Sequence, residues 1–237
     1  MYTNTIESFW ANDYFGCSLS DLKNEKDIVC PHRYMASYNG LFIMKTHNKF
    51  IVSAPDEMVS ELKQIANRSF DLFDVAVLQN HLSIGIESYI GPSWIGYLNN
   101  TKNIIQTNAT LILSKTDELF SLVFDDLQKS CDEKEWSHSG IDENSEYIAI
   151  QKYDKRIVSA ASYELWGDKI AHIGIITNPL HRNNGFASNV LISLTEFIIK
   201  KGLIPQYRTL CSNLPAIKTA EKCGFMEYAS HISVRLK

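Results

Sequence analysis

The chain has 237 residues, a formal net charge of −4, 45% hydrophobic and 21% charged residues. That is the makeup of an ordinary globular protein, long enough for one large or two small domains. The balance argues against nucleic acid as a partner, since no basic tract stands out, and against a membrane partner, since no apolar run approaches the ~20 residues a bilayer span requires.

In chain order, residues 5–14 read as a short helix with Ile6, Phe9, Trp10 and Tyr14 on one side, ended by Gly16. Ser20-Asp21-Leu22 marks a turn or a short helix. Leu41-Phe42-Ile43-Met44 and Phe50-Ile51-Val52 flank Thr46-His47-Asn48-Lys49, the pattern of a hairpin. Pro55-Asp56-Glu57 opens a helix to about Ala66 that carries Met58, Leu62 and Ile65 on one face. Another helix is expected over 69–79, then a weak strand over 84–90 that Gly91-Pro92-Ser93 breaks. These elements make a compact α+β unit. The polar, turn-rich Leu98-Asn99-Asn100-Thr101-Lys102-Asn103 sets a boundary between a domain of residues 1–100 and one of residues 101–237.

Residues 110–113 read as a strand, and Thr116-Asp117-Glu118 caps a helix carrying Leu119, Phe120, Val123, Phe124 and Leu127. Glu135-Trp136-Ser137-His138-Ser139-Gly140 reads as a loop. The periodicity then changes to three strands, 147–151, 156–165 and 170–177. Their joints, Tyr153-Asp154-Lys155 and Trp166-Gly167-Asp168-Lys169, are short enough to require antiparallel neighbours. A helix over 186–201 sets Ala187, Val190, Leu191, Leu194, Phe197 and Ile198 at steps of three and four, and Gly202 stops it. The strand over 206–211 follows a helical crossover, so it should run parallel to 170–177. A helix over 214–222, ended by Gly224, and a strand over 225–236 complete the order.

The five cysteines (17, 30, 131, 211 and 223) are odd in number and irregularly spaced. Cys17, Cys30 and His32 lack a CxxC companion, so buried free thiols are expected rather than a metal site. The first residues, Met1-Tyr2-Thr3-Asn4-Thr5-Ile6-Glu7, lack the basic-then-apolar pattern of a signal peptide. A reducing, cytoplasmic location is the expectation.

The segment Thr177-Asn178-Pro179-Leu180-His181-Arg182-Asn183-Asn184-Gly185-Phe186-Ala187-Ser188 joins an apolar strand to an amphipathic helix. Backbone N–H groups at a helix start lack partners, and the helix dipole is positive there, so such a loop seats a phosphate or pyrophosphate. Gly185 lets the backbone approach an anion without a Cβ between them, and Ala187 leaves the first turn open. Arg182 adds charge. A nucleotide P-loop is disfavoured, since no Gly-Lys-Ser/Thr follows.

Arg182-x-x-Gly185-x-Ala187 after a strand, followed a strand and a turn later by Asn213…Ala220-Glu221-Lys222-Cys223-Gly224-Phe225, resembles the GNAT superfamily of acetyl-CoA-dependent N-acetyltransferases. The resemblance covers roughly residues 115–237. Trp10…Phe15-Gly16-Cys17, Tyr38-Asn39-Gly40-Leu41-Phe42, Val52-Ser53-Ala54-Pro55 and Gly91-Pro92-Ser93-Trp94 also resemble the front half of some two-domain members. The fold implied is α/β (α+β): a mixed, mostly antiparallel central sheet flanked by helices, with a smaller α+β domain in front. The cofactor implied is acetyl-CoA as acetyl donor. By resemblance its pantetheine pairs with the strand end Ile175-Ile176-Thr177, its diphosphate takes the loop Arg182, Asn183, Asn184, Gly185, Phe186, Ala187 and Ser188, and Asn213 adds a contact. The thioester would enter between two diverging strands, with the Ile176 N–H polarising its carbonyl.

The proton-handling residues are less evident. Members of the superfamily often carry a Glu on the strand before the loop and a Tyr seven residues after the Asn; here the strand offers His172 as its nearest titratable group, and the second position is Ala220. Candidates for catalysis are His172, Glu164 and His138. His172 has a type-typical pKa near ~6.5 that suits a base, but a hydrogen-bonded structural role is also open to it. Glu164 is either a relay or a solvated strand-end acid. Trp136, Tyr163 and Trp166 either line an aromatic acceptor site or pack in the core. The acidic run Glu133, Glu135, Asp142, Glu143 and Glu146 favours a cationic amine or is a solvated loop. The resulting expectation is an N-acetyltransferase acting on a small-molecule amine, with the front domain covering the acceptor site or mediating assembly, as in a homodimer. A protein or peptide N-acetyltransferase and a non-catalytic acyl-CoA sensor remain the alternatives.

Overall fold

The computed structural model describes residues 3–24, 26–33, 37–46, 49–68, 70–98 and 110–237. The boundary expected at residues 100–101 lies outside them, as do His47 and Asn48 of the expected hairpin turn. The chain begins with α1 (Thr3–Ser8), which continues as a π-helical segment (Phe9–Phe15), then α2 (Leu19–Lys23), β1 (Ile28–Pro31), β2 (Gly40–Thr46), β3 (Lys49–Ala54), α3 (Val59–Ala66), α4 (Val75–His81) and β4 (Ile86–Leu98). There follow β5 (Thr110–Ser114), α5 (Phe120–Leu127), α6 (Glu133–His138), β6 (Tyr147–Tyr153), β7 (Arg156–Trp166), β8 (Ile170–Thr177), α7 (Phe186–Lys200), β9 (Ile204–Leu210), α8 (Leu214–Lys222) and β10 (Phe225–Leu236). The chain forms two compact units. One holds the residues up to Ile95 with Thr209–Asn213 and Glu227–Lys237; the other holds Gly96–Arg208 with Leu214–Met226.

In the first unit β1 pairs in parallel with β3, and β3, β2 and β10 pair antiparallel. The pleat splits these strands into two apolar faces. Leu41, Ile43, Ile232 and Val234 face α3 and α4, where Leu62, Ile65 and Leu78 close the core. Phe42 lies on the opposite face, among Trp10, Tyr14 and Phe15, with the Tyr14 ring centroid 4.7 Å away. Fully buried aromatics of this size contribute about 1.5–3 kcal/mol each. The predicted N-terminal stripe of Ile6, Phe9, Trp10 and Tyr14 is therefore buried as expected, and Gly16 ends the segment at φ +71°. The Cys30 thiol is buried and bonded to the Phe15 and Val52 carbonyls; burial pushes its pKa up to about 12.

Two expectations here need correction. The helix placed over 69–79 begins at Val75, because the Asp74 carboxylate accepts the Ala76 and Val77 N–H groups and caps it there. The strand expected to break at Gly91 continues through it to Leu98. A Cβ at Gly91 would sit 2.7 Å from the His231 carbonyl oxygen, so glycine marks a close approach of two backbones rather than a stop.

In the second unit β5, β6, β7 and β8 form an antiparallel series, and β9 joins β8 in parallel. α5 covers one face with Phe120, Val123 and Leu127 against Ile148, Ile150, Ala160 and Ile176. α7 packs against β5 to β8, with Val190, Leu191, Leu194 and Ile198 buried. This is the mixed, mostly antiparallel sheet flanked by helices that the sequence implied. The segment read as a loop over 135–140 differs: Glu133–His138 is helical, because Asp132 caps it by accepting the Glu135 N–H at 2.7 Å.

Candidate active site

The loop before α7 is held in shape by its own side chains. Asn178 Oδ1 accepts the Leu180 N–H at 2.9 Å, and Asn184 Nδ2 donates to the carbonyls of His181 and Arg182, each at 3.1 Å. Asn183 (φ +64°) and Gly185 (φ +79°) take left-handed backbone conformations on either side of Asn184, which curls the chain into a concave turn. The first backbone bond into the helix is Asn189 N–H to Gly185 O at 3.1 Å. Among the described residues no acceptor meets the N–H groups of residues 183–188. A Cβ built on Gly185 would meet nothing within 4 Å, so the space over the turn is open. Unpaired donors, a helix start and an open approach together fit a diphosphate.

Arg182 is engaged elsewhere in this state. Its Nη2 donates to Glu135 Oε1 of α6 at 2.8 Å, and its Nε donates to the Thr177 carbonyl at 3.3 Å. The last strand carbonyl before the loop is thus tied to the loop itself.

The two parallel strands part where the resemblance implied. β8 pairs with β9 only from Ile170 to Ile173, opposite Ile204 to Tyr207, yet β8 runs on to Thr177 against β7. Asn178 N–H donates to Val158 O at 2.9 Å on the β7 side, while Ile204 N–H donates to Lys169 O at 2.8 Å on the β9 side. By the alternation of a strand's backbone groups, the N–H groups of Ile175 and Thr177 face the opening and that of Ile176 faces β7. Ile176 as the carbonyl-polarising donor is therefore corrected: its side chain is core and its amide points away. Ile175 and Thr177 are the donors available there.

The proposed catalytic side chains are not gathered as a triad. His138 ends α6, exposed, with Nδ1 2.7 Å from the Lys134 carbonyl and 3.3 Å from Ser137 Oγ. Glu164 and His172 do sit together: they are direct partners in the β7–β8 ladder, and His172 is the direct partner of Gln206 in the β8–β9 ladder. Directly paired residues project to the same face, so Glu164, His172 and Gln206 form a row across three strands. Burial, with the Arg208 charge adding to it, lowers the His172 pKa to about 3 against a smaller opposing effect of Gln206. The expectation of a base with an ordinary imidazole pKa is corrected on that ground: His172 is neutral at physiological pH and a very weak base. Its Nδ1 and the Gln206 Oε1 are both buried without a hydrogen-bond partner, while Gln206 Nε2 donates to Tyr97 Oη at 2.5 Å.

Of the three aromatics considered for the acceptor site, Trp136 packs edge-on against Phe124 in the core. Tyr163, an odd-numbered β7 residue, lies on the face opposite Glu164 and Trp166. Trp166 belongs to the polar row: its Nε1 donates to Glu164 Oε2 at 3.1 Å, and its ring lies 4.8 Å from that of His172. Ala220 is fully buried, so no proton donor stands at the position where the resemblance implied a tyrosine. Asn213 belongs to the first unit, where its N–H donates to Leu210 O at 2.9 Å. Sequence reading missed Gln206, Arg208 and Tyr97. Gln206 had a usable signal, a polar residue inside the apolar Ile204-Pro205-Gln206-Tyr207 strand; Tyr97 had none.

Residues 147–231 match the family model of the GNAT acetyltransferase. Three solved structures illustrate the likeness. A GNAT-family protein from Novosphingobium aromaticivorans DSM 12444 has 14% identity and a TM-score of 0.49 over 63% of this chain and 65% of that one. A GNAT-family acetyltransferase from Colwellia psychrerythraea has 18% identity and a TM-score of 0.48 over 70% and 62%. A GCN5-related N-acetyltransferase-like protein from Streptococcus suis has 12% identity and a TM-score of 0.46 over 84% of each chain. This chain spans slightly less than two thirds of the length of the first two. No curated protein matches it. Among the described residues, no helix is long and apolar enough to cross a membrane.

Proposed function

We propose that this protein moves the acetyl group of acetyl-CoA to the amine of a small molecule. The observation that carries the reading is the set of unpaired amides at 183–188 under an open Gly185, placed at the end of the strand that leaves its parallel partner. Those amides would hold the diphosphate, and the Ile175 and Thr177 N–H groups would align the pantetheine arm. When bound, acetyl-CoA supplies an activated acetyl thioester. In the overall reaction an N–C bond forms and the C–S bond breaks, the sulfur ends as a thiol, and the acceptor ammonium gives up two protons, one to that sulfur and one to solvent. The neutral His172 orients the amine by a hydrogen bond rather than holding its proton. The exposed Glu164 beside it gives that proton a way to water. A small acceptor is favoured because the Ser139–Gly140 backbone lies directly over Gly174, which narrows that face of β8.

One second reading has a specific observation behind it. The buried Ala220 and the weakly basic His172 leave the site without an obvious acid or base, which suits an acyl-CoA sensor. Thiol release from acetyl-CoA separates the two, measured with polyamines, amino acids, aminoglycosides and peptides. Release with one or more small amines is the expected result. Silence across the panel in a protein that binds acetyl-CoA would favour the sensor, and release with peptides alone would move the acceptor to polypeptide.

A further inference from the structure

We propose that Glu135 is a latch. In the coenzyme-free protein it occupies the Arg182 charge that the diphosphate would use, and the coenzyme, on taking that charge, frees α6 from the loop. The proposal rests on the coenzyme reading and adds a control element to the same site.

The contact joins two elements that are far apart in the chain. Arg182 Nη2 donates to Glu135 Oε1 at 2.8 Å, across 47 positions of sequence. The Arg182 Nε donates to the Thr177 carbonyl at 3.3 Å, which fixes the side chain on its own loop and turns the guanidinium toward α6. The side chains are 44% and 36% exposed, so a ligand can reach the pair without the core opening.

Charge makes the contact exclusive. A diphosphate seated on the amides of 183–188 brings more negative charge than one guanidinium balances, and the Glu135 carboxylate then faces it as a like charge. Asp132 and Glu133, at the start of the same helix, have the same sign as Glu135.

Only α6 is built to yield. It has six residues and none of them is buried. Its other ties are the Asp132 cap on the Glu135 N–H at 2.7 Å and the edge of Trp136 on Phe124. Just beyond it, Ser139–Gly140 lies against Gly174 of β8, and Ser162 Oγ donates to the Gly140 carbonyl at 3.0 Å. Those contacts hold the far end of the helix, so release is confined to residues 133–138. By linkage, a latch that the coenzyme breaks weakens the coenzyme by a similar factor.

The test is amide hydrogen exchange of the full chain and of Glu135→Gln, with the neighbouring Glu133→Gln as control, each with and without excess CoA. In the coenzyme-free state Glu135→Gln should speed exchange within 133–138 by about two- to fivefold, as suits a half-exposed ion pair, and Glu133→Gln should not. CoA should speed the same amides in the unaltered chain and add little in Glu135→Gln. The proposal is overturned if Glu135→Gln exchanges like the unaltered chain, if CoA slows these amides, or if Glu133→Gln has the same effect as Glu135→Gln. Should Glu135→Gln fail to fold, the unaltered chain with and without CoA decides. The amides of 183–188 are read separately. Protection there with α6 unmoved would sink the latch alone. No change in either segment would sink the coenzyme reading and the latch with it.

Discussion

The two halves of strand β8 present different kinds of chemical group. The half nearer the loop, residues 174–177, has lost its β9 partner and offers backbone groups, continued by the unpaired amides of 183–188. The half at residues 170–173 is paired on both edges, so its backbone is spent and it presents side chains, with His172 in line with Glu164 and Gln206. Backbone recognition tolerates changes of side chain and leaves a signature only where glycine is required. Side-chain recognition depends on which residues the register brings into line, and register is not visible until strands are paired.

The largest effect on stability is expected where the two halves meet. A Cβ at Gly174 would lie 2.3 Å from the Ser139 carbonyl oxygen and 2.7 Å from the Gly140 carbonyl carbon, both backbone atoms. Gly174→Ala should cost roughly 2–3 kcal/mol in chemical denaturation; a change within experimental error would mean that the segment over the strand is not seated there. A pH effect should belong to the side-chain half alone. His172 stays neutral in the folded protein down to about pH 3, while the unfolded chain takes up that proton near ~6.5. The stability linked to this group is therefore full above about pH 6.5 and is lost as the pH falls toward 3. In thermal melts His172→Gln should flatten the acid limb between those values; an unchanged limb would show that the ring titrates normally. The smallest effect concerns the backbone half. The Arg182–Glu135 pair is half exposed and worth little to stability, but it holds a cation that a diphosphate would use. Glu135→Gln should leave the melting temperature nearly unchanged and tighten CoA binding by about two- to fivefold. Weaker binding would instead assign Glu135 to positioning Arg182.

What could be read from the sequence follows the same division. The loop, the helix Phe186–Lys200 with its apolar stripe, and the parallel crossover are signalled by local pattern, and they match the structure. The fork between β8 and β9 was implied by resemblance and is present. The failures are tertiary. Nothing local says that the Ile176 amide turns toward β7, since that depends on the phase of the ladder. Nothing local says that burial and Arg208 strip His172 of its usual basicity. The helix Glu133–His138 did have its cap, Asp132, in plain view. The chemical variety of the stretch that follows it drew the reading toward a loop.

The central claim is that the amides at 183–188 grip the diphosphate of the coenzyme beneath Gly185. Calorimetric titration of acetyl-CoA into the unaltered chain, Gly185→Ala and Gly185→Trp tests it directly. With no neighbour within 4 Å, alanine should bring only the strain of a left-handed residue, about 1 kcal/mol, and keep most of the binding, whereas the indole should fill the approach and abolish the heat. Binding that survives in a folded Gly185→Trp would place the diphosphate elsewhere and contradict the account.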